Sequence, residues 1–265
     1  MSDRSTDYYH LLTRCLSQER LDAYARRLPT QPADELEILA HYLWNISLSQ
    51  ALYPALQAFE IALRNNIHAV MTAAYNTPTW FKGKPAGPTL EPHHRRLIVD
   101  AEAKLRKRRK GNPKSPTPGE IIAELNLGFW VGLFNKEYDP SVHSIWRGNR
   151  ITSVFPFIPP DESFTKHNRR IYRTRHAISQ ILGRIHRLRN RVSHHEPIWY
   201  WKAPPEIHSL DDQHRELLEV IGWMNPALFA TLLLLDEFPT IFEAGPGAFR
   251  EKLRDLVDHI ELPLP

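Results

Sequence analysis

The sequence predicts an all-α fold, for three reasons. Apolar residues return every three or four positions along almost the whole chain, which is the period of an amphipathic helix. No segment has the alternating pattern of a convincing strand. With 265 residues, of which 42% are hydrophobic and 24% charged, the chain has an ordinary globular composition and can bury a sizeable core. We expect residues 1–265 to form a single domain without internal repeats.

Two helices are predicted in the N-terminal part of the chain. A short helix over residues 8–27 precedes a long apolar-periodic segment over residues 33–75. Pro54 should interrupt or kink this segment, because proline removes a backbone donor and clashes with the preceding turn. After Pro54, apolar residues at helical spacing form one continuous face that we expect in the core: Leu56, Phe59, Leu63, Ile67 and Val70.

Residues 78–119 differ in composition from the rest. Seven prolines flank a short helix whose end, at residues 104–110, is rich in lysine and arginine. We expect a loop-rich, proline-rich basic surface excursion here. The next helix is predicted over residues 121–134. Thr117 can cap it, because proline follows Thr117 and Glu120 can complete a capping box.

The remaining helices are predicted after a proline-containing loop. A basic helix comes first, and its apolar residues at helical spacing predict a buried stripe of Ile171, Ile178, Leu182, Ile185, Leu188 and Val192. Further helices are predicted over residues 210–224, 226–237 and 247–260.

Positive charge is concentrated in one segment. Residues 163–195 contain nine lysines or arginines, five histidines and no acidic residue, although the formal net charge of the chain is only +4. Such clustering indicates a polyanionic partner, either nucleic acid or an anionic membrane surface. The membrane alternative lacks support, because no run approaches the roughly 18 apolar residues that span a bilayer.

The sequence also bears on the compartment. The N-terminus lacks the basic and then apolar layout of a signal peptide. Cys15 is the only cysteine, which excludes an internal disulfide framework and a cysteine-based zinc site. We therefore expect a cytoplasmic protein that does not contact a membrane.

A candidate active site lies at the end of the basic segment, where Arg189 and Asn190 precede His194 and His195. Cleavage of RNA without a metal needs a base for the ribose 2′-hydroxyl proton and a cation for the charge on the scissile phosphate. Histidine suits proton transfer near neutral pH, and arginine can hold two phosphate oxygens. The product would be a 2′,3′-cyclic phosphate. The sequence has no His-Glu-x-x-His, no clustered carboxylates and no glycine-rich phosphate loop, so we expect neither a metal nor a cofactor.

The spacing of Arg189 and His194 constrains the backbone. Five positions apart on an ideal helix, the two side chains would diverge by roughly 140°. Pro197 disfavours helical geometry at Glu196, which would let the chain unwind near His194 and turn the imidazole toward Arg189. Alternatively, two copies of the motif could face each other across a twofold axis.

Two segments resemble a known family, namely residues 188–198 (Leu-Arg-Asn-Arg-Val-Ser-His-His-Glu-Pro-Ile) and residues 59–67 (Phe-Glu-Ile-Ala-Leu-Arg-Asn-Asn-Ile). The chain is similar to the Abi-like (AbiD/AbiF type) proteins of bacterial abortive infection, within the HEPN superfamily of all-α ribonucleases. The resemblance implies a HEPN-like helical bundle with additional helices and an Arg-x4-6-His motif formed by Arg189, Asn190 and His194. It also implies a site between two protomers, a toxin-like ribonuclease activity, and an antitoxin partner made of protein or RNA. Residues 78–119 have no counterpart in the family pattern.

Several residues have a second interpretation. Arg189 and His194 could be charges on an RNA-binding face, and Asn190 could cap the helix instead of orienting a phosphate. His195 could replace His194 as the base.

Glu60 and Arg64, at i and i+4, could support the site or form a plain helix salt bridge. The aromatic residues 199–201 could stack on bases or close a core. The remaining predicted RNA contacts are Arg184, Arg187, Arg191, Lys166, Arg169, Arg170, Arg173 and Arg175.

The sequence thus favours a homodimeric HEPN-type endoribonuclease that cuts single-stranded or looped RNA, with Arg189 on the phosphate and His194 as general base or acid. One alternative is a catalytically inactive helical RNA- or nucleotide-binding module. Another is a helical subunit whose basic face binds an acidic protein.

Overall fold

The computed structural model describes residues 2–29, 31–109, 114–139, 145–160, 162–163, 169–170, 173–202 and 209–260. Helices dominate this part of the chain, as predicted. They are α1 (Ser2–Leu16), α2 (Gln18–Ala25), α3 (Glu35–Tyr75), α4 (Pro92–Arg108), α5 (Pro118–Glu124), α6 (Leu127–Gly132), α7 (Arg150–Val154), α8 (Arg175–Ser193), α9 (Leu210–Met224), α10 (Pro226–Leu232), α11 (Phe238–Ala244) and α12 (Gly247–His259). Two short strands, β1 (Glu162–Ser163) and β2 (Arg169–Arg170), pair in antiparallel fashion. The fold is therefore all-α, with one minor strand pair that the periodicity did not predict.

The chain divides into two compact units. The first comprises Met1–Pro54, Arg187–Arg215 and Leu234–Pro265, and the second comprises Ala55–His186 and Glu216–Leu233. Three helices, α3, α8 and α9, contribute residues to both units. The single domain expected from the sequence stays a prediction.

The core of the first unit is built by its N-terminal helices together with α12. The predicted helix over residues 8–27 is in fact two helices, because Ser17 has a φ of 64° and its hydroxyl accepts the backbone N–H of Arg20 as the cap of α2. The buried apolar cluster of this unit consists of Tyr9, Leu21, Tyr24, Leu28, Leu36, Ile38, Leu39, Ala40, Leu253 and Val257.

Helices α11 and α12 are tied to the start of α3 by polar contacts as well. The indole of Trp44 donates to the carbonyl of Ile241 at 2.8 Å. The guanidinium of Arg250 pairs with the carboxylate of Asp34. The C-terminal helices are thus an integral part of the first unit.

Helix α3 continues through Pro54, so of the two predicted effects the interruption is wrong, and the kink stays a prediction. Leu52 and Leu56 are both buried beside Pro54, and their packing favours the helix although proline removes one hydrogen bond. The predicted core face is confirmed at Leu56, Phe59, Leu63 and Ile67. Val70 is only half-buried, and Met71 takes its place in the core.

The described part of residues 78–119 is more ordered than the predicted excursion. It contains the 17-residue helix α4, and Trp80, Phe81 and Leu90 before it are buried in the second unit. Burial of large aromatic side chains contributes strongly to stability. The prolines here therefore lie within a packed segment. The basic end of α4 is exposed, as expected.

The predicted start of α5 is confirmed. The Thr117 hydroxyl accepts the backbone N–H of Glu120, and the Glu120 carboxylate accepts the backbone N–H of Thr117, which is a complete capping box. The predicted helix over residues 121–134 is divided in two, because Leu125 is extended and Asn126 caps α6. Helix α9 has the bounds predicted for residues 210–224, whereas the helix predicted over residues 226–237 is α10 followed by a short 3-10 helix that ends at Leu235.

A buried histidine anchors α4 in the second unit. The Tyr138 hydroxyl accepts the backbone N–H of Glu91 at 2.9 Å and so directs its own proton to His94 Nδ1, 3.1 Å away. His94 Nε2 then carries the imidazole proton and donates to the carbonyl of Phe129 at 3.1 Å. Burial lowers the pKa of His94 to about 4. A Cβ at Gly132 would lie 2.8 Å from His94 Nε2, so this packing requires glycine there.

We expect acid to destabilise the fold through His94. Its folded pKa lies below the unfolded value of 6.5, so the unfolded chain takes up the proton first and stability falls as the pH drops from about 6.5 towards 4. At pH 5 the loss is roughly 2 kcal/mol relative to pH 8. Urea unfolding at pH 5 and at pH 8 measures this loss of stability. Burial also lowers the pKa of His214, so comparison with a His94→Gln variant isolates the contribution of His94. An equal loss of stability in His94→Gln would contradict this account.

Candidate active site

Helix α8 places the candidate residues. Four residues of its predicted buried stripe, Ile178, Leu182, Ile185 and Leu188, are at most 1% exposed. Val192 is half-buried, and Ile171 lies outside the described residues. The stripe fixes the rotation of the helix.

The end of α8 is a Schellman motif. The backbone N–H of Glu196 donates to the carbonyl of Arg191 at 2.9 Å, and that of His195 donates to the carbonyl of Val192 at 3.1 Å. His195 has a φ of 57°, the left-handed conformation that glycine usually provides at this position. The helix therefore ends at Ser193, and the predicted departure from helical geometry near His194 is confirmed.

Three side chains brace the turn that follows, each holding one of three consecutive carbonyls. Arg20 donates to the carbonyl of His195 at 2.8 Å. Asn45 donates to the carbonyl of Glu196 at 3.3 Å and accepts the backbone N–H of Ile198 at 2.7 Å. Arg191 donates to the carbonyl of Pro197 at 2.8 Å. We call these three residues, Arg20, Asn45 and Arg191, the turn brace.

Sequence reasoning missed Arg20 and Asn45 as site-supporting residues. Asn45 is 3% exposed, on a face of α3 that it shares with Leu48 and Leu52. A polar residue at an apolar-face position was the available signal, because a buried amide needs hydrogen-bond partners. Arg20 carries no comparable signal, since it is one of many surface arginines.

Asn190 contacts the side chain of Arg189 and the backbone of His194. Arg189 donates from Nη1 to Asn190 Oδ1 at 3.4 Å, and the carbonyl of Asn190 accepts the backbone N–H of His194 at 2.9 Å. Arg189 and Asn190 are half-buried, whereas His194 and His195 are exposed. The imidazole of His194 is therefore accessible to a large substrate, and its turn toward Arg189 stays a prediction.

Arg191 is held within the first unit. Its guanidinium pairs with the Glu196 carboxylate at 2.9 Å and lies over the Trp201 ring, 4.9 Å from the centroid. These contacts show what fixes its side chain; its role in RNA binding stays a prediction.

Three other predicted RNA-binding arginines also make contacts within the protein. Arg184 forms a two-pronged pair with Glu216, Arg175 donates to the carbonyl of Phe134, and Arg173 donates to two backbone carbonyls. Arg184 and Arg175 are buried, so phosphate would have to displace these contacts to reach them. Arg187 is exposed. Arg169 and Arg170 form β2, and Lys166 lies outside the described residues.

Glu60 and Arg64 belong to the second unit. Both are half-buried, and Arg64 donates to the carbonyl of Ala123 at 3.4 Å. This contact favours a structural role for Arg64. The role of Glu60 and Arg64 in supporting the site stays a prediction.

The aromatic run at residues 199–201 packs within the first unit. The ring of Trp199 lies 4.7 Å from that of His41 and 6.2 Å from that of Trp44. Tyr200 lies beneath the guanidinium of Arg27 at 4.5 Å. These contacts favour the core-closing interpretation over base stacking.

The described helices include none with the length and apolar character that crossing a membrane requires. Within the same residues, no three His, Cys, Asp or Glu side chains cluster as a metal site would need.

The fold and the site define a class: an all-α protein whose basic helix carries Arg189 and Asn190 and ends at His194 in a braced turn. A family model described as Abi-like protein matches residues 4–200, and the chain belongs to this family. Membership associates it with abortive infection, a form of phage defence. Neither the curated proteins nor the solved structures contain a significant match.

Proposed function

We propose that this Abi-like protein is a metal-independent endoribonuclease of the HEPN type that acts as a toxin in abortive infection. The observation that carries the proposal is that Arg189, which donates to Asn190, and the exposed His194 lie together at the end of a basic helix, next to a turn held by the turn brace. Phosphodiester cleavage without a metal requires a base and a cation placed near the same phosphate.

His194 takes the proton of the ribose 2′-hydroxyl, and the freed oxygen attacks the adjacent phosphorus. The bond between phosphorus and the 5′-oxygen breaks, this oxygen takes a proton from water and leaves as a 5′-hydroxyl, and the product strand ends in a 2′,3′-cyclic phosphate. Arg189 binds the phosphate oxygens, whose charge grows in the transition state. Asn190 accepts a hydrogen bond from Arg189 and so restricts the orientation of its guanidinium. The exposure of His194 suits a polymeric substrate that a closed pocket would exclude.

The proposal includes a homodimer in which the two motifs face one another, a cytoplasmic location, and an antitoxin of protein or RNA. In such a dimer, Arg189 and His194 of one protomer need not point in the same direction, because a second copy can supply the complementary group.

The test is cleavage in excess EDTA. Purified wild-type protein is incubated with end-labelled RNA, and the 3′ ends of the products are analysed for cyclic phosphate. We expect cleavage that persists in EDTA and leaves cyclic ends. Cleavage that stops in EDTA would contradict the mechanism, and RNA binding without cleavage would favour the inactive RNA-binding module.

A further inference from the structure

Helix α4 carries a second concentration of positive charge, in the unit that does not contain Arg189 and His194. Its 17 residues include six lysines or arginines and two carboxylates, and all six cationic residues are exposed. Because the rest of the chain outside residues 163–195 is net negative, this positive face is a local feature.

The cations of α4 fall into two groups. Lys104 and Arg108 pair with Glu124 at 3.6 and 2.7 Å, and Arg106 lies 3.8 Å from Glu102. The other three cations, Arg95, Arg96 and Lys107, form no ion pair with any residue that the structure describes. Their charge is therefore available to a ligand.

Arg96 and Lys107 stand on the same side of α4. Eleven residues make about three turns, so the two side chains differ in direction by roughly 20° and their Cα atoms are roughly 16 Å apart along the axis. This line of charge is long enough to follow several phosphates of one nucleic acid strand.

A groove of about 480 Å³ runs beside this line. Leu97, Ala101 and Leu125 give it an apolar floor, and Lys104, Lys107 and Asn126 are among its polar lining. Asp100 and Glu124 also line it, and Glu124 is already paired with Lys104. Sites for small molecules have volumes in this range.

From these two observations we infer that α4 and its groove form a second binding site for single-stranded RNA. The backbone phosphates lie along Arg96 and Lys107, and an unstacked base enters the groove against its apolar floor. Asp100 and Asn126 can contact the polar edge of that base, since amino groups of bases donate to carboxylate and amide oxygens. The site takes RNA as its ligand from the proposed function; it binds and does not cleave.

The partner is a nucleic acid rather than a membrane, because Val99 is the only large apolar residue among the strongly exposed residues of α4. An interfacial helix needs a broad apolar face to enter the headgroup region. A single strand is favoured over a duplex because paired bases cannot leave their stack to fill the groove.

The test is a binding titration in the His194→Ala background, where cleavage cannot interfere. The probe is a labelled, unstructured RNA of about 20 nucleotides, alone or annealed to its complement. Arg96→Glu combined with Lys107→Glu reverses the two aligned charges. Lys136→Glu combined with Arg254→Glu is the matched control, since it changes the net charge equally at two exposed positions elsewhere.

We expect the Arg96/Lys107 variant to weaken single-strand binding at least tenfold and the control to weaken it less than threefold. The slope of log affinity against log salt should fall by about 1.4, because two phosphate contacts of about 0.7 each are lost. Equal binding by both variants would overturn the inference, and an equal loss for the duplex would overturn the role of the groove. Failure of the proposed function would be distinct, because it would appear as absent cleavage by the wild type.

Discussion

His194→Ala is expected to lower the cleavage rate at least a hundredfold while RNA affinity stays within about twofold of wild type. General acid–base catalysis by a positioned side chain contributes typically 10² to 10⁴. The imidazole is exposed, and the turn is held by main-chain and brace contacts that alanine retains, so the fold should not change. Single-turnover cleavage at saturating RNA, together with a binding titration, measures both quantities.

His195→Gly is the matched control for this prediction. Glycine adopts the left-handed conformation of residue 195 without the steric cost of a side chain, so this variant should be more stable than wild type by about 0.5–1 kcal/mol. It should also cleave RNA at the wild-type rate. If His195→Gly were inactive and His194→Ala active, the base would be His195.

The second large effect is expected at the turn brace. In Asn45→Ala, the buried backbone N–H of Ile198 and the carbonyl of Glu196 lose their partner, which should cost about 2–3 kcal/mol of unfolding free energy. The turn that carries His194 would then be less well positioned, and the cleavage rate of the folded protein should fall about tenfold or more. Urea unfolding measures the stability, and single-turnover rates well below the unfolding transition measure the chemistry.

Asn65→Ala provides the comparison on the same helix, because Asn65 is an exposed asparagine. Its stability should stay within about 0.5 kcal/mol of wild type. Should Asn45→Ala be destabilised without any loss of cleavage rate, Asn45 would be a structural residue and not a positioning one.

Much of the fold could be predicted because it follows from local patterns. The capping box at Thr117 and Glu120 and the buried stripe of α8 depend on residues close in sequence; the capping box is confirmed, and so are four of the six residues of the stripe. Continuation of α3 through Pro54 could not be predicted, since it depends on packing partners from elsewhere in the chain. The same holds for α4, whose burial depends on Tyr138 and Phe129.

The candidate site, too, could be predicted only where it depends on residues close in sequence. The end of the helix near His194 followed from Pro197, a local signal. The brace did not, because Arg20 and Asn45 contact the turn across 175 and 151 positions of sequence. The predicted RNA contacts at Arg175 and Arg184 were inferred from charge alone, and charge does not reveal which arginines are buried beside acceptors.

The C-terminal helices bear on which mutations should inactivate the protein. The family match ends at residue 200, yet α12 supplies Leu253 and Val257 to the core of the first unit, and the carbonyl of Ile241 in α11 accepts the hydrogen bond of Trp44. A stop codon after residue 201 would leave every motif residue intact and still remove those supports. For a protein proposed to arrest growth, survivors of its expression should therefore include nonsense alleles in this region alongside changes at Arg189 or His194.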